Sequence, residues 1–411
     1  MLRLWAGRFA WDPGIVASQG QRANVRRQKI ERRLGMFFDT TVYSCDDARR
    51  IARRRLPWMV FDYIDGAAGT GYGERLNRET LRAIRLQPRV LNGVEHRSIE
   101  MPLFGRPARL PFGVSPMGMC NLSSPFADSL LAGFAAQHQV PVGVSTVAST
   151  SLETMIEAAA GNAWFQLYLS GERESSDALM DRAEAAGYEV LVLTVDVPEV
   201  GRRPRELRHG FVMPFRIGPR QFLDFACHPG WSLSQLLRGR PQMANFGGAF
   251  GEFDRTGSRA AADWDVLAAI RERWKGRLVV KGVLSSEDAL RLKNAGVDAV
   301  QVSSHGGRQL DSAPAPILAL RAIRNAVGPE FPLFYDSGVR SGEDIVKAYA
   351  MGADFVFLGR PFSFAIAAGG SRGLAQIAAL LASETSITLA QLGLRDLGSV
   401  TEDVLAESAL L

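Results

Sequence analysis

The chain has 411 residues, 46% hydrophobic and 22% charged, which is the composition of a globular protein and excludes disordered and collagen-like chains. Its uninterrupted apolar runs are far shorter than the ~18 residues of a membrane span, and three scattered cysteines, Cys45, Cys120 and Cys227, form neither a disulfide framework nor a CxxC pair; a cytoplasmic setting is expected. The formal net charge of +5 is uneven: residues 1–55 carry thirteen Arg/Lys against five Asp/Glu, a net +8, which leaves −3 for residues 56–411. No global basic field exists to grip a nucleic acid.

Residues 1–35 have no sustained periodicity and are expected to be a disordered or wrongly assigned extension, with the structured domain spanning 36–411. Asp46 to Arg55 predicts a basic helix that stops at Pro57, and the turn-rich Phe61 to Gly73 predicts a cap over one end of the fold. From residue 111, short apolar runs alternate with helix-like stretches: Phe112 to Ser115, Val142 to Ser145, Trp164 to Leu167, Val190 to Thr194, Leu278 to Lys281, Ala299 to Ser303, Leu333 to Asp336 and Phe355 to Leu358. Amphipathic helices are predicted at Ser176 to Ala186 and Ser286 to Asn294, each ended by a glycine turn. Eight such units predict an α/β fold, a closed TIM (β/α)₈ barrel.

One connection, Val197 to Gly276, is too long for a barrel loop and predicts an insertion at 204–262 after the fourth strand. Its first part is apolar and aromatic, whereas Asn245 to Ala262 reads as flexible. Between residues 200 and 240, eight arginines face only Glu206 and Asp224, a net +6. A cationic, aromatic surface suits an anionic bilayer, so 210–246 is expected to touch a membrane peripherally.

Catalytic groups in such barrels stand at the C-terminal strand ends. Almost every run ends in a polar residue: Ser115, Ser145, Gln166 with Tyr168, Thr194 with Asp196, Lys281, Ser303 with His305, Asp336, and Gly359 with Arg360. The most informative stretch is Ser303-Ser304-His305-Gly306-Gly307-Arg308-Gln309-Leu310-Asp311. It joins a histidine suited to proton removal near neutral pH, glycines that permit close approach, and a guanidinium fork suited to a carboxylate. Asp336-Ser337-Gly338-Val339-Arg340 and Gly359-Arg360-Pro361 follow the last two strands, where backbone N–H groups and two arginines suit a phosphate.

These strings, with Thr194 to Asp196, Gly201-Arg202-Arg203, Leu56-Pro57 and Phe61-Asp62-Tyr63, resemble the FMN-dependent L-2-hydroxy acid oxidase and dehydrogenase family from about residue 40 to the C-terminus. The resemblance implies a flavoenzyme that oxidises a lactate- or mandelate-like L-2-hydroxy acid to a 2-keto acid. It implies His305 as base with Asp196 as its carboxylate partner, Arg308 and Arg203 as the carboxylate clamp, Tyr63 and Tyr168 as hydrogen-bond donors to substrate, and Lys281 beside the flavin N1/C2 carbonyl. Met117, Gly118, Ser145, Gln166, Thr194 and Ser303 would hold the flavin ring; Asp336, Gly338, Arg340, Gly359 and Arg360 would hold its ribityl phosphate. No metal is implied. A homo-oligomer, a tetramer, is expected.

Three positions depart from the family pattern: Ser304 where Asn is usual, Ser337 in place of a common glycine, and Val147 where oxidases often carry a bulky aromatic. Gly118, where oxidases commonly carry alanine, favours a dehydrogenase by analogy. The inserted segment, Leu223 to Leu233 and Gly239 to Phe246, resembles that of the membrane-associated mandelate and lactate dehydrogenases, which implies a quinone or other acceptor and the inner face of the cytoplasmic membrane. The alternatives are an oxidase that makes hydrogen peroxide and, from another class, an FMN-barrel isomerase or a flavin-binding scaffold.

Overall fold

The computed structural model describes residues 41–169, 173–211, 217–239, 241–246, 258–260 and 262–406. The expectation for residues 1–35 lies outside these. Eight parallel strands close into a barrel: β1 (Phe112–Met117), β2 (Val142–Ser145), β3 (Ala163–Leu167), β4 (Val190–Thr194), β5 (Arg277–Val283), β6 (Ala299–Val302), β7 (Leu333–Tyr335) and β8 (Phe355–Leu358), the last pairing back onto β1 through Val356↔Phe112. Their buried, Val- and Leu-rich sequences show why: a parallel sheet covered by helices has no wet face, so its strands read as continuous apolar runs. Six of these strands match the sequence-based boundaries or differ from them by one residue at an end. The larger differences are β1, which runs on to Met117, and β5, which runs on to Val283 across a register shift between Lys281 and Val283.

Helices alternate with the strands. The predicted basic helix is α1 (Cys45–Arg55), opened by Ser44 Oγ, which accepts the Asp47 N–H. It is followed by α2 (Trp58–Asp65) and α3 (Tyr72–Ala83). After β1, β2 and β3 come α4 (Ala127–His138), α5 (Leu152–Ala158) and α6 (Arg173–Ala185). The inserted segment supplies α7 (Pro204–Arg208), α8 (Pro219–Cys227) and α9 (Pro229–Arg238), and α10 (Trp264–Arg273) resumes the barrel rhythm. Three barrel helices follow: α11 (Ser286–Asn294), whose bounds match the sequence pattern, α12 (Pro316–Val327) and α13 (Gly342–Ala350). The chain then runs into α14 (Arg360–Leu392).

By length and composition α14 could cross a membrane, which a scan for uninterrupted apolar runs does not show. The chain breaks at Gly369-Gly370, however, and Phe362, Phe364, Ile366, Leu374, Ile377 and Leu381 are buried in the common core. This is the barrel's eighth helix.

The two barrel ends are closed differently. A short hairpin, Met101–Leu103 with Arg106–Ala108, presents Phe104 to Trp164 and Phe334 at the N-terminal end of the strands. At the C-terminal end, the turn between α2 and α3 lies over the rim as the sequence predicted: Ala68 N–H donates to Gly307 O at 2.9 Å and Gly69 N–H to Arg202 O at 3.0 Å. Asp311, the last residue of the histidine motif, locks this cap by accepting the backbone N–H groups of Thr70 and Gly73.

The insertion is anchored at several points. Trp231 Nε1–H donates to Leu122 O and Gln235 Nε2–H to Asn121 O, so α9 lies on the loop after β1. Asn245 was expected to begin a flexible stretch, yet it is buried, accepting from Leu152 N–H and donating to Ser145 O and Thr146 O. A side-chain amide with donor and acceptor both satisfied fixes the chain there. Residues 247–257 and 261 of that stretch lie outside the described residues.

Candidate active site

The strand ends converge on one cavity at the C-terminal rim. It is lined by Tyr63, Met117, Gly118, Tyr168, Arg203, Lys281, His305, Arg308, Asp336, Gly338, Arg340, Gly359 and Arg360. Five other residues singled out in the sequence do not line it: Ser145, Gln166, Thr194, Asp196, which contacts His305, and Ser303, which accepts from Lys281.

His305 sits in the turn that leaves β6, at φ +56, with Gly306 and Gly307 also at positive φ. Such backbone is strained for a side-chain-bearing residue and persists only where neighbours hold it. Ser303 Oγ accepts the His305 N–H at 3.0 Å, and a Cβ at Gly307 would stand 2.5 Å from the Glu74 backbone nitrogen, so only glycine lets α3 lie against the turn. The imidazole is held from both sides. Nδ1 is 3.0 and 3.3 Å from the two Asp196 oxygens, and Nε2 is 3.3 Å from Tyr168 Oη. A carboxylate at Nδ1 holds the proton there and leaves the Nε2 lone pair as the basic site.

Burial pushes the His305 pKa below 6.5; Asp196 opposes that shift and Lys281 adds to it. The Asp196 carboxyl is raised by burial, but the facing imidazole and Lys281 outweigh this and hold it below its ordinary value. His305 is therefore neutral, and able to accept a proton, at neutral pH.

Gly282 makes this pair possible and was not singled out in the sequence. At φ +103 it forms the irregularity in β5, and a Cβ there would lie 2.5 Å from Asp196 Cβ and Cγ. The one available signal was a glycine directly after the strand-end Lys281.

Arg203 and Arg308 face the cavity from opposite loops and are bound to each other: Arg203 Nε–H donates to Arg308 O at 3.2 Å. Arg308 also braces the cap, with Nη1 donating to Tyr63 O and Gly66 O and Nη2 to Glu206 Oε1 at 2.8 Å. Buried Glu206 lies 3.7 Å from Arg203 Nη1 as well, so one carboxylate balances two guanidinium groups and a net positive charge remains. Burial and the neighbouring Arg308 pull Arg203 down to about 10. Glu206 too was missed as a site residue; its signal is a lone acid among arginines, three residues after Arg203. Tyr63 stacks on Phe211 at 4.5 Å, and its Oη–H donates to Gly118 O. Burial and Asp196 raise the Tyr168 phenol well above its ordinary value, so it stays protonated.

Deeper in the barrel, the parallel register Thr194↔Lys281 and Ser145↔Gln166 sets these side chains on the inner face. Ser145 Oγ–H donates to Gln166 Oε1, while Gln166 Nε2 and Thr194 Oγ1 are buried with no hydrogen-bond partner among the described residues. Leaving a buried polar group unmade costs about 1–3 kcal/mol. Lys281 Nζ donates to Ser303 Oγ at 2.9 Å and is 3.4 Å from Asp336 Oδ2. Asp336 also accepts from Ser303, Ser337, Gln301 and Ser115.

Ser337, where glycine is common, sits at φ +88. Its hydroxyl offsets the strain by accepting the N–H groups of Ser304 and Gly306 and donating to Asp336. Ser304 in turn accepts from Asn77 Nδ2–H. At the far end, Arg360 donates to Ile64 O, Gly306 O and Gly66 O, and burial, followed by its neighbours Arg308 and Arg340, lowers it to about 9. Cations crowded at the N-terminus of α14 and beside the Gly338 turn (φ +91) suit a phosphate dianion.

Two buried hydrogen-bonding groups unpartnered among the described residues, with a lysine nearby, a cationic helix N-terminus at the far end of the cavity and a histidine facing it, are the features of a flavin-mononucleotide barrel. The chain belongs to the FMN-dependent dehydrogenase family, whose model matches residues 52–407. It is 36% identical to an (S)-mandelate dehydrogenase of Pseudomonas putida over 376 residues, 89% of this chain and 94% of that one. It is 39% identical to an L-lactate dehydrogenase of Caulobacter vibrioides over 379 residues, 89% of this chain and 98% of that one. Among solved structures it is similar to the monotopic membrane protein (S)-mandelate dehydrogenase, with TM-score 0.84, 36% identity, and coverage of 89% of this chain and 99% of that one. It is also similar to a mandelate oxidase variant at TM-score 0.75 and 35% identity, covering 88% and 97%. The protein is an FMN-dependent hydroxy acid oxidoreductase.

Proposed function

We propose that the chain oxidises an L-2-hydroxy acid of lactate or mandelate type to the 2-keto acid. Bound FMN supplies a two-electron acceptor. Gln166 Nε2–H, Thr194 Oγ1 and Ser145 would meet the polar edge of the flavin ring, with Met117, Gly118 and Ser303 against it and Lys281 countering negative charge at the N1/C2 edge. Asp336, an acceptor, suits the ribityl hydroxyls better than the phosphate; Arg340, Arg360 and the turns at Gly338 and Gly359 suit the phosphate. Arg203 and Arg308 orient the substrate carboxylate, Tyr63 and Tyr168 bond its oxygens, and His305 Nε2 takes the proton while Asp196 stabilises the imidazolium.

The observation that carries this reading is the imidazole fixed between Asp196 and Tyr168, facing the same cavity as two arginines that share one counter-carboxylate. An isomerase or a passive flavin scaffold needs no such set. Val147, Val197, Val200 and Met243 line the outer cavity and leave room for an apolar substituent. The membrane-associated relative and the exposed Phe222, Leu223, Leu233, Leu236 and Leu237 of α8 and α9 support peripheral attachment to the cytoplasmic membrane with a quinone as acceptor.

Anaerobic titration of the purified flavoprotein with a panel of 2-hydroxy acids tests the activity. The flavin absorbance should bleach with an L-acid and remain with its ester. Wild-type protein that is wholly soluble in low salt and makes stoichiometric hydrogen peroxide would replace the quinone reading with the oxidase one.

A further inference from the structure

The two arginine-rich stretches, far apart in sequence, meet in space where α1 and α7 approach α2. Arg49 of α1 forms a paired contact with Asp65, and Arg205 of α7 bonds both Asp65 and Asp62. His209 Nδ1 is 2.6 Å from the other Asp62 oxygen. Trp58 stands edge-on to the His209 ring at 5.9 Å, and its backbone N–H donates to Asp224 Oδ1 of α8 at 3.2 Å. At this junction lies a cavity of about 280 Å³ walled by Arg53, Trp58, Asp62, Arg205, Arg208 and His209.

The local charge does not balance. Asp62 and Asp65 are committed to Arg49, Arg205 and His209, whereas Arg53 and Arg208, both exposed, make no ion pair or hydrogen bond with any described residue. The cavity thus presents two free guanidinium groups and a half-exposed indole, with Asp62 neutralised at its floor. Its rim continues into α8, where Phe222 and Leu223, next to Asp224, are exposed. Cations and an indole bordering an apolar ridge match the boundary between headgroups and acyl chains.

We propose that this cavity binds the phosphodiester headgroup of an anionic phospholipid, seating the protein while α8 and α9 enter the apolar layer. The proposal rests on the peripheral-membrane reading and adds a specific site to it. The test is sedimentation of the FMN-loaded protein with vesicles of phosphatidylcholine alone or with 30% phosphatidylglycerol. Wild-type protein should bind the anionic vesicles more tightly. Arg53→Ala/Arg208→Ala should lose about 30-fold in partition, a factor of about five for each basic residue at an anionic surface. Arg50→Ala/Arg54→Ala removes the same net charge from α1 alone, outside the cavity, and should lose no more than about fivefold, because neither side chain lines the headgroup site. Soluble glycerophosphoglycerol should compete at matched ionic strength.

Equal losses in the two double variants would mean a diffuse field, and the site would fall while membrane attachment stood. Wild-type binding that is equal on both vesicles would do the same. No binding to either vesicle would sink the membrane reading and the site together. Competition by inorganic phosphate but not by glycerophosphoglycerol would assign the cavity to a free phosphate and overturn the lipid proposal.

Discussion

Replacing Asp196 with Asn tests the central pair of the site without changing its shape. The carboxylate lies 3.0 Å from His305 Nδ1. Two unit charges at that distance interact by at most about 5–6 kcal/mol at an effective dielectric of about 20. A triad-like histidine that loses its carboxylate slows by about 10⁴-fold, or about 5 kcal/mol, so the two scales agree. Stopped-flow reduction of the flavin by an L-2-hydroxy acid should therefore slow by about 10³- to 10⁴-fold, with FMN content unchanged. The pH profile gives the sign. His305 must be neutral to act, so reduction falls as pH drops through its pKa, which burial and Lys281 already hold below 6.5; Asp196 is the group that raises it. In Asp196→Asn the acid limb should move to still lower pH while the plateau falls. Reduction within tenfold of wild type, or an acid limb that moves upward, would refute the pairing.

Three further outcomes follow from the geometry. Thr194→Val should weaken FMN binding by up to about tenfold, as for one lost hydrogen bond, while leaving apoprotein stability equal or higher because a buried group unpartnered among the described residues is removed; equilibrium dialysis and thermal melts check both. Arg308→Lys should raise KM and slow reduction despite conserving charge, since a point ammonium lacks the planar fork whose two nitrogens divide Tyr63 O and Gly66 O from Glu206; unchanged steady-state constants would mean that the fork is dispensable. Burial raises the Asp65 carboxyl, but Arg49 and Arg205 more than reverse this and hold it at about 2, below its ordinary value of 3.8. Its contribution, about 2 kcal/mol, is present above pH ~4 and is lost as pH falls toward 2. Asp65→Asn should therefore lower the urea midpoint at pH 6 and flatten its fall between pH 4 and 2.

The sequence by itself determined the barrel, because each strand is a short apolar run with a polar residue at its end, and that pattern has few other solutions. It also pointed to one rim as the candidate site: His305, Lys281 and the arginines lie at or after strand ends, and the tertiary structure lines one cavity with His305, Lys281, Arg203, Arg308, Arg340 and Arg360, with Asp196 bonded to His305. Helix bounds were sharp where local capping decides them, as at Ser285 before α11.

Only the tertiary structure decided features that depend on partners distant in sequence. Gly282 is marked in sequence only as a glycine after a strand-end lysine, and its role, making room for the Asp196 carboxylate that follows the preceding strand, appears only in the fold. Glu206 reads as one acid among arginines until Arg203 and Arg308 are seen to share it. Asn245 lies in a Gly/Ala-rich stretch that reads as flexible, yet backbone groups at residues 145, 146 and 152 pin it. The two basic segments appear in sequence as separate charge runs, and their meeting around Asp62 and Asp65 follows from helix packing. Periodicity and capping are encoded within a few residues, whereas charge compensation and close approach are set by which chain segments the closed barrel brings together.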